Sequence, residues 1–162
     1  DIHDIAYYYW QKNLLYYINK IMKPSKLIRK GHRKDKIKVN MDLSNIDQID
    51  NIEFSELLNM ANIFIFDYPT TAFAIAAATN KPIIYFDIGL RNLMPDALKS
   101  IKDRCIYIKG DARNAKKMVV EAFDIRKDLC KNTFTKRYSI SEDKKTQKQI
   151  LLEQIKLGMG IS

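Results

Sequence analysis

The sequence has few of the residues from which disulfide frameworks and metal sites are built. Its 162 residues include only two cysteines, Cys105 and Cys130, and two histidines, His3 and His32. The cysteines form no CxxC pair, and the histidines lie too far apart in sequence to suggest a zinc site. We therefore expect no metal and no cofactor, and a protein of the reducing cytoplasm.

Long apolar runs and several glycine-rich enzyme signatures are also absent. No apolar stretch approaches the roughly 20 residues of a membrane-spanning helix. The five glycines form no GxGxxG, GxxxxGK[ST] or GxSxG motif, which argues against a dinucleotide oxidoreductase, a P-loop ATPase and an α/β-hydrolase. The sequence begins at Asp1 with no signal-peptide pattern, so we expect a fragment of a longer protein.

Positive charge is abundant. The net charge is +9, and a hydrophobic content of 46% suits one domain over residues 1–162. Nine basic residues and the single acid Asp35 lie between Lys20 and Lys38. Such a segment attracts phosphates or an anionic membrane surface, or else it serves only as a solvated surface. The charge pattern is compatible with each of these roles.

The apolar segments alternate between helical and strand patterns, which predicts an α/β fold with a single Rossmann-like parallel sheet flanked by helices. The predicted strands are Lys26–Lys30, Ile63–Phe66, Ile83–Phe86 and Cys105–Ile108. The predicted helices are Tyr7–Met22, Phe54–Met60, Thr70–Thr79, Pro95–Ile101, a helix capped by Asp111 that runs to Phe123, and Glu142–Leu157.

Residues 62–87 are the most informative segment, because they read as strand, sharp turn, small-residue helix and second strand. Pro69 supplies a preset φ for the first turn of that helix. Thr70 and Thr71 place hydroxyls beside its unpaired N–H groups, where an anion binds. A carboxylate would repel a phosphate there, so we expect Asp67 to lie near the nucleotide without touching phosphate, either capping the helix or bonding to backbone N–H groups, with the cap preferred.

Three short segments follow one another in a fixed order: Lys30-Gly31-His32, then Phe66 to Phe73, then Lys81-Pro82 leading into Ile83 to Asp87. They resemble the Lys-x-His-Pro loop, the Asp-Tyr-Ser-Ser turn and the Lys-Pro strand of the CDP-glycerol glycerophosphotransferases of wall teichoic acid synthesis and related surface-carbohydrate transferases. The resemblance implies the C-terminal, donor-nucleotide half of a GT-B fold. It also implies that His32, Thr70 and Thr71 hold the diphosphate of the donor.

Three positions depart from the family pattern. Arg33 stands where the family has proline, Pro69 where it has the first serine, and Ala74 where it usually has an acid. A nucleotide sugar keeps the same diphosphate, so such changes alter which donor is accepted while leaving phosphate binding intact. We therefore favour a surface-polysaccharide glycosyltransferase, and keep the glycerophosphotransferase as the alternative. The resemblance places the acceptor and any general base in a missing N-terminal domain, so no catalytic residue is assigned.

Further candidate residues lie near the same predicted cleft. Arg33, beside His32, would strengthen anion capture. Arg91 follows the strand Ile83–Phe86, where open parallel sheets bind ligands, and is either a donor contact or a surface-loop residue. Asp111 is more often a helix cap than a ribose ligand.

A noncatalytic basic module that docks on nucleic acid or membrane is the competing hypothesis. The aromatic residues from Tyr7 to Trp10 would support it if they were exposed, since bases stack on aromatic rings. We expect them to be buried, which argues against nucleic acid as the partner. Either function fits the cytoplasm, or the inner membrane face if the basic segment binds lipid.

Overall fold

The computed structural model describes residues 4–24, 26–31, 46–49 and 52–125 as short parallel strands flanked by helices. The strands are β1 (Leu27–Lys30), β2 (Ile46–Ile49), β3 (Phe64–Phe66), β4 (Ile83–Asp87) and β5 (Ile106–Lys109). The helices are α1 (Asp4–Met22), α2 (Phe54–Leu57), α3 (Thr71–Ala77), α4 (Pro95–Arg104) and α5 (Ala115–Asp124), with a 3₁₀ turn at Ala112–Asn114 before α5. The α/β class with parallel strands is confirmed.

The described strands form two hydrogen-bonded sheets, whereas the sequence predicted a single one. One sheet pairs β1 with β2, and the other has the order β3–β4–β5, with every pairing parallel. Strand β2 was not predicted, because its four residues Ile-Asp-Gln-Ile lie in a polar region with no longer apolar pattern. Leu27 of β1 nevertheless packs against the same core cluster as Ile84 and Phe86 of β4.

Strand β4 is the centre of the core and is buried on both faces. Ile84 and Phe86 point towards α1 and α5, while Ile83 and Tyr85 point towards α3 and α4, because successive side chains of a strand alternate between faces. The first face is completed by Trp10, Leu14, Ile18, Met118 and Val119, and the second by Phe64, Phe73, Ala76, Ala77 and Ile101. The sheet is thus the middle of three layers.

The expectation that the aromatic run at the start of α1 is buried is half right. Trp10 is fully buried and meets Phe86 edge to face, with ring centroids 5.8 Å apart. Tyr9, by contrast, is 56% exposed. Consecutive residues of a helix are turned by about 100°, so four aromatic residues in a row cannot share one face.

The amino end of the β3–β4–β5 sheet is closed by two cations that the sequence did not single out. Arg104 is buried and donates from Nε to the carbonyl of Ala77, 3.1 Å away, and from Nη2 to those of Thr79 and Lys81, at 2.6 and 2.8 Å. Lys81 donates from Nζ to the carbonyls of Leu58 and Ala61. Helix α4 runs to Arg104, three residues beyond its predicted end. The three hydrogen bonds offset part of the cost of burying this charge, since Nη1 of Arg104 has no hydrogen-bond partner among the described residues.

Some predictions fall on residues outside the described ranges, namely Cys130, the helix Glu142–Leu157, and the site residues His32 and Arg33. Within the described ranges, no helix combines the length and the apolar composition needed to cross a membrane.

Candidate functional site

The carboxyl ends of β3, β4 and β5 lie at one edge of their sheet, because the three strands run parallel. Three loops leave from this edge: residues 67–70, residues 88–94 and residues 110–111. In open parallel sheets the ligand binds outside this edge. The candidate residues Asp67, Thr70, Thr71, Arg91 and Asp111 all belong to these loops or directly follow them.

A helix follows the turn after β3, as predicted, but it begins at Thr71, so Pro69 lies before the cap and not in the first turn. Thr70 is the N-cap, and its hydroxyl oxygen accepts the N–H of Phe73 at 3.4 Å. This bond uses the oxygen as acceptor, so the hydroxyl proton is left to donate. Thr70 and Thr71 are both exposed. Two hydroxyls therefore stand at the surface of the sheet edge, within reach of a ligand.

Arg91 contacts the same turn through Tyr68. Its Nε donates to the Tyr68 hydroxyl, and its guanidinium carbon lies 5.1 Å from the centroid of the Tyr68 ring. Tyr68 stands two residues before Thr70 in the chain, so this cation–π contact holds the exposed Arg91 beside the turn. Arg91 is thus an exposed residue of the surface loop that contacts Tyr68, and its role as a donor contact stays a prediction.

Asp67 does not cap α3, which corrects the expectation from the sequence. Its carboxylate accepts the Nε1–H of Trp10 at 3.1 Å and the hydroxyl of Tyr7 at 3.3 Å. It therefore points towards α1, while Thr70 takes the cap position. The correct partners lie about 60 residues away in sequence, so no local pattern reveals them.

Burial raises the pKa of Asp67. The residue as a whole keeps some exposed surface, but its carboxylate lies among the side chains of α1 and loses most of its hydration. The hydrogen bonds from Trp10 and Tyr7, and the positive charge of Arg29, oppose that rise. With its charge disfavoured and turned inwards, Asp67 is a weaker source of repulsion for an anion at Thr70 than the sequence suggested.

The loop that carries Arg91 is anchored by Asp87, which sequence reasoning did not select. Oδ1 of Asp87 accepts the N–H of Gly89 at 3.0 Å, and Oδ2 accepts the hydroxyl of Tyr107. Gly89 has φ of 81°, a conformation that glycine adopts without strain. Burial and the Asp87 contact together raise the pKa of Tyr107, which keeps the phenol protonated as the donor. The Asp-x-Gly pattern after a strand was the available signal.

Asp111 is a cap, as expected, but of the short 3₁₀ turn. Its carboxylate accepts the backbone N–H of Arg113 at 2.8 Å and two hydrogen bonds from the Arg113 guanidinium at 2.9 and 2.6 Å. These bonds lower the pKa of Asp111 to about 2. The guanidinium of Arg113 is therefore already paired with a carboxylate, whereas within the described residues that of Arg91 contacts Tyr68 and no carboxylate.

The remaining features to place relative to this edge are metal ligands and a surface groove. No group of three His, Cys, Asp or Glu side chains with metal-binding geometry occurs within the described ranges. A shallow groove of about 710 Å³ lies between α1 and α5 and is bordered by Tyr17, Arg113 and Val120. Its lining includes neither Thr70, Thr71 nor Arg91, so it is separate from the candidate site.

Comparison with known proteins gave no match, whether to family models, to curated proteins or to solved structures.

Proposed function

We propose that this chain binds the diphosphate of a nucleotide-activated sugar at the carboxyl edge of its β3–β4–β5 sheet, as the donor-binding domain of a surface-polysaccharide glycosyltransferase. A polyol donor of the CDP-glycerol type is the alternative within the same site. We also propose that the two small sheets belong to one Rossmann-like sheet of the GT-B type, in which β1 lies next to β3. Two observations support this arrangement of strands. Leu27 of β1 packs against the same core cluster as β4, and the charge of Arg29 in β1 acts to lower the pKa of Asp67 at the end of β3.

The contact between Arg91 and Tyr68 is the observation that carries the proposal. It joins two loops that are 23 residues apart in sequence and places an exposed guanidinium at the turn containing the two threonines. A guanidinium presents donors in a planar fork that matches phosphate oxygens. One cation and two hydroxyls at the carboxyl edge of a parallel sheet form an arrangement suited to a diphosphate.

These groups would act on the leaving group of the transfer reaction. When the bond between sugar and nucleoside diphosphate breaks, negative charge develops on the phosphate oxygens. Donors already held in place stabilise that charge without reorganising. Arg91 is held by Tyr68 and its loop by Asp87, while Thr70 is fixed as the cap of α3. The resemblance adds His32 to the same task, and the positive charge of Arg33 beside it would strengthen anion capture; both lie outside the described residues.

Calorimetric titration tests the proposal by comparing the affinity of the protein for UDP with that for UMP, and its affinity for CDP with that for CMP; the diphosphates should bind more tightly. Thr70→Val with Thr71→Val removes both hydroxyls and should weaken diphosphate binding by roughly tenfold, the effect of losing hydrogen bonds to a charged group. The control Thr70→Ser with Thr71→Ser keeps both hydroxyls and should bind like the wild type. Loss of the Thr70 cap costs about 1 kcal/mol of stability in the valine variant, so urea unfolding is measured beside the titration.

A parallel titration with single-stranded RNA at two salt concentrations addresses the noncatalytic module. Strongly salt-dependent RNA binding without nucleotide binding would reject the donor site, because phosphate-backbone binding weakens steeply with salt. Equal diphosphate affinity of the valine and serine variants would remove the two threonines from the site.

A further inference from the structure

The outer face of α1 carries a stripe of apolar, aromatic and basic side chains that the core does not use. With about 100° between residues, five positions fall within about 80° on the side opposite the buried Trp10, Leu14 and Ile18. We call these residues the outer stripe: Ile5, Tyr9, Lys12, Tyr16 and Lys20. All five are exposed, and Ile5, Tyr9 and Tyr16 are exposed by 61%, 56% and 44%.

The aromatic rings of the outer stripe are supported by their neighbours. Tyr9 meets Tyr8 edge to face at 5.5 Å between ring centroids, and Tyr16 meets Tyr17 in the same way at 5.1 Å. Lys20 places Nζ 5.8 Å from the centroid of the Tyr16 ring. Apolar and cationic groups thus form one continuous surface about 22 Å long, the rise of 15 residues of helix.

The charge of this surface has one sign. The one acid of α1 is Asp4, which lies about 100° from Ile5 around the helix and outside the outer stripe. Lys23 follows α1 and is exposed, and the sequence from Lys20 to Lys38 has nine basic residues against one acid. A binding partner for this face therefore has to be negatively charged and also accept tyrosine and isoleucine side chains.

We propose that the outer stripe of α1 docks the protein on an anionic lipid bilayer. Tyrosine rings favour the boundary between headgroups and acyl chains, and lysines next to an apolar helical face are attracted to anionic headgroups. A nucleic acid offers rings and phosphates for the tyrosines and lysines, but no apolar medium for Ile5. The bilayer accommodates all three kinds of side chain. This inference concerns a different face from the donor site and does not depend on the proposed function.

Vesicle flotation of the full chain tests this docking. Wild type should float with vesicles of phosphatidylglycerol and phosphatidylcholine, and stay behind with phosphatidylcholine alone. Lys12→Glu with Lys20→Glu should lower binding by roughly tenfold or more, since each lysine near an anionic surface contributes about one order of magnitude at most. The matched control is Lys99→Glu with Lys102→Glu, which makes the same charge change at exposed positions of α4, on the opposite face of the sheet from α1, and should change binding by less than about twofold.

A second pair of variants tests the apolar part of the outer stripe. Tyr9→Ser with Tyr16→Ser should weaken binding most at high salt, where charge attraction is screened. Ile75→Ser, at an exposed apolar position of α3 on the other face of the sheet, should not. Circular dichroism checks that each variant is folded. The proposal is overturned if the wild type does not bind vesicles, or if the two lysine double variants lose vesicle binding equally. It is also overturned if the protein binds RNA but not vesicles and loses RNA binding on Lys12→Glu with Lys20→Glu.

Discussion

At the amino end of the β3–β4–β5 sheet, Arg104 is buried and donates to three backbone carbonyls, whereas at the carboxyl end Arg91 is exposed over the ring of Tyr68. Lys81 at the amino end is likewise bound to two carbonyls. Arg104 uses Nε and Nη2 to bind backbone carbonyls and so stabilises the fold. Arg91 is held by the ring and hydroxyl of Tyr68, which leaves its terminal N–H groups to donate to a ligand. The same residue type thus serves structure at one end and is offered for binding at the other.

The largest expected effect is at the amino end. Arg104→Met keeps the unbranched apolar part of the side chain but removes the guanidinium and its three hydrogen bonds to backbone carbonyls, and should lower the free energy of unfolding by about 2 to 4 kcal/mol. Urea denaturation measures this, with the exposed Arg113→Gln as the control for loss of an arginine charge. A loss below about 1 kcal/mol would mean that the two ends do not differ in the way described.

Arg91→Gln should have the opposite profile. Because the side chain is exposed, stability should change by less than about 0.5 kcal/mol, while affinity for a nucleoside diphosphate should fall by roughly tenfold. Arg113→Gln removes the same charge from a neighbouring loop, but its guanidinium is already paired with Asp111, so affinity should hardly change. Equal weakening by the two variants would show that general charge, and not a site at Tyr68, attracts the ligand.

Gly89→Ala tests the loop that carries Arg91. Nothing lies within 4 Å of the added Cβ, so any cost comes from the positive φ of 81° and not from a clash. Stability should fall by about 1 kcal/mol, and diphosphate affinity should fall with it if the loop position matters. Thermal unfolding and calorimetry on one preparation separate the two effects. Unchanged stability would contradict the conformation assigned to this residue.

Asp67→Asn should have the smallest effect and one that depends on pH. Burial raises the folded-state pKa above the ordinary value of 3.8, so the folded protein holds this proton more tightly than the unfolded chain. Its contribution to stability is complete below about pH 4 and is lost as the pH rises through the raised pKa. The asparagine has no charge at any pH; its one oxygen can accept from Trp10, and its amide can donate to the hydroxyl oxygen of Tyr7. The variant should therefore gain stability relative to wild type as the pH rises above about 4, and a constant difference would contradict the assignment.

Features that depend on neighbouring residues in the sequence were predicted, whereas contacts between residues far apart in the sequence were missed. The strand before Thr70 and the helix after it were predicted because the signals are local: an apolar run, a proline at the turn and a run of small residues. The cap was predicted wrongly, since the sequence favoured Asp67 and the structure has Thr70 there. The partners of Asp67, and of Arg104, lie tens of residues away and leave no local pattern. Strand β2 was missed because four residues are too short for a recognisable alternation. The contact of Arg91 with Tyr68 joins the loops that follow β3 and β4, so predicting it requires knowing that these two strands are neighbours.

The most direct test of the donor site is the mapping of backbone amide chemical shifts during titration of the labelled protein with UDP or CDP. The account predicts that the largest changes occur at residues 68–71 and 89–92, and that they are much smaller with the matching monophosphate. Changes centred on the groove between α1 and α5, around Tyr17 and Val120, or no changes at saturating nucleotide, would contradict it.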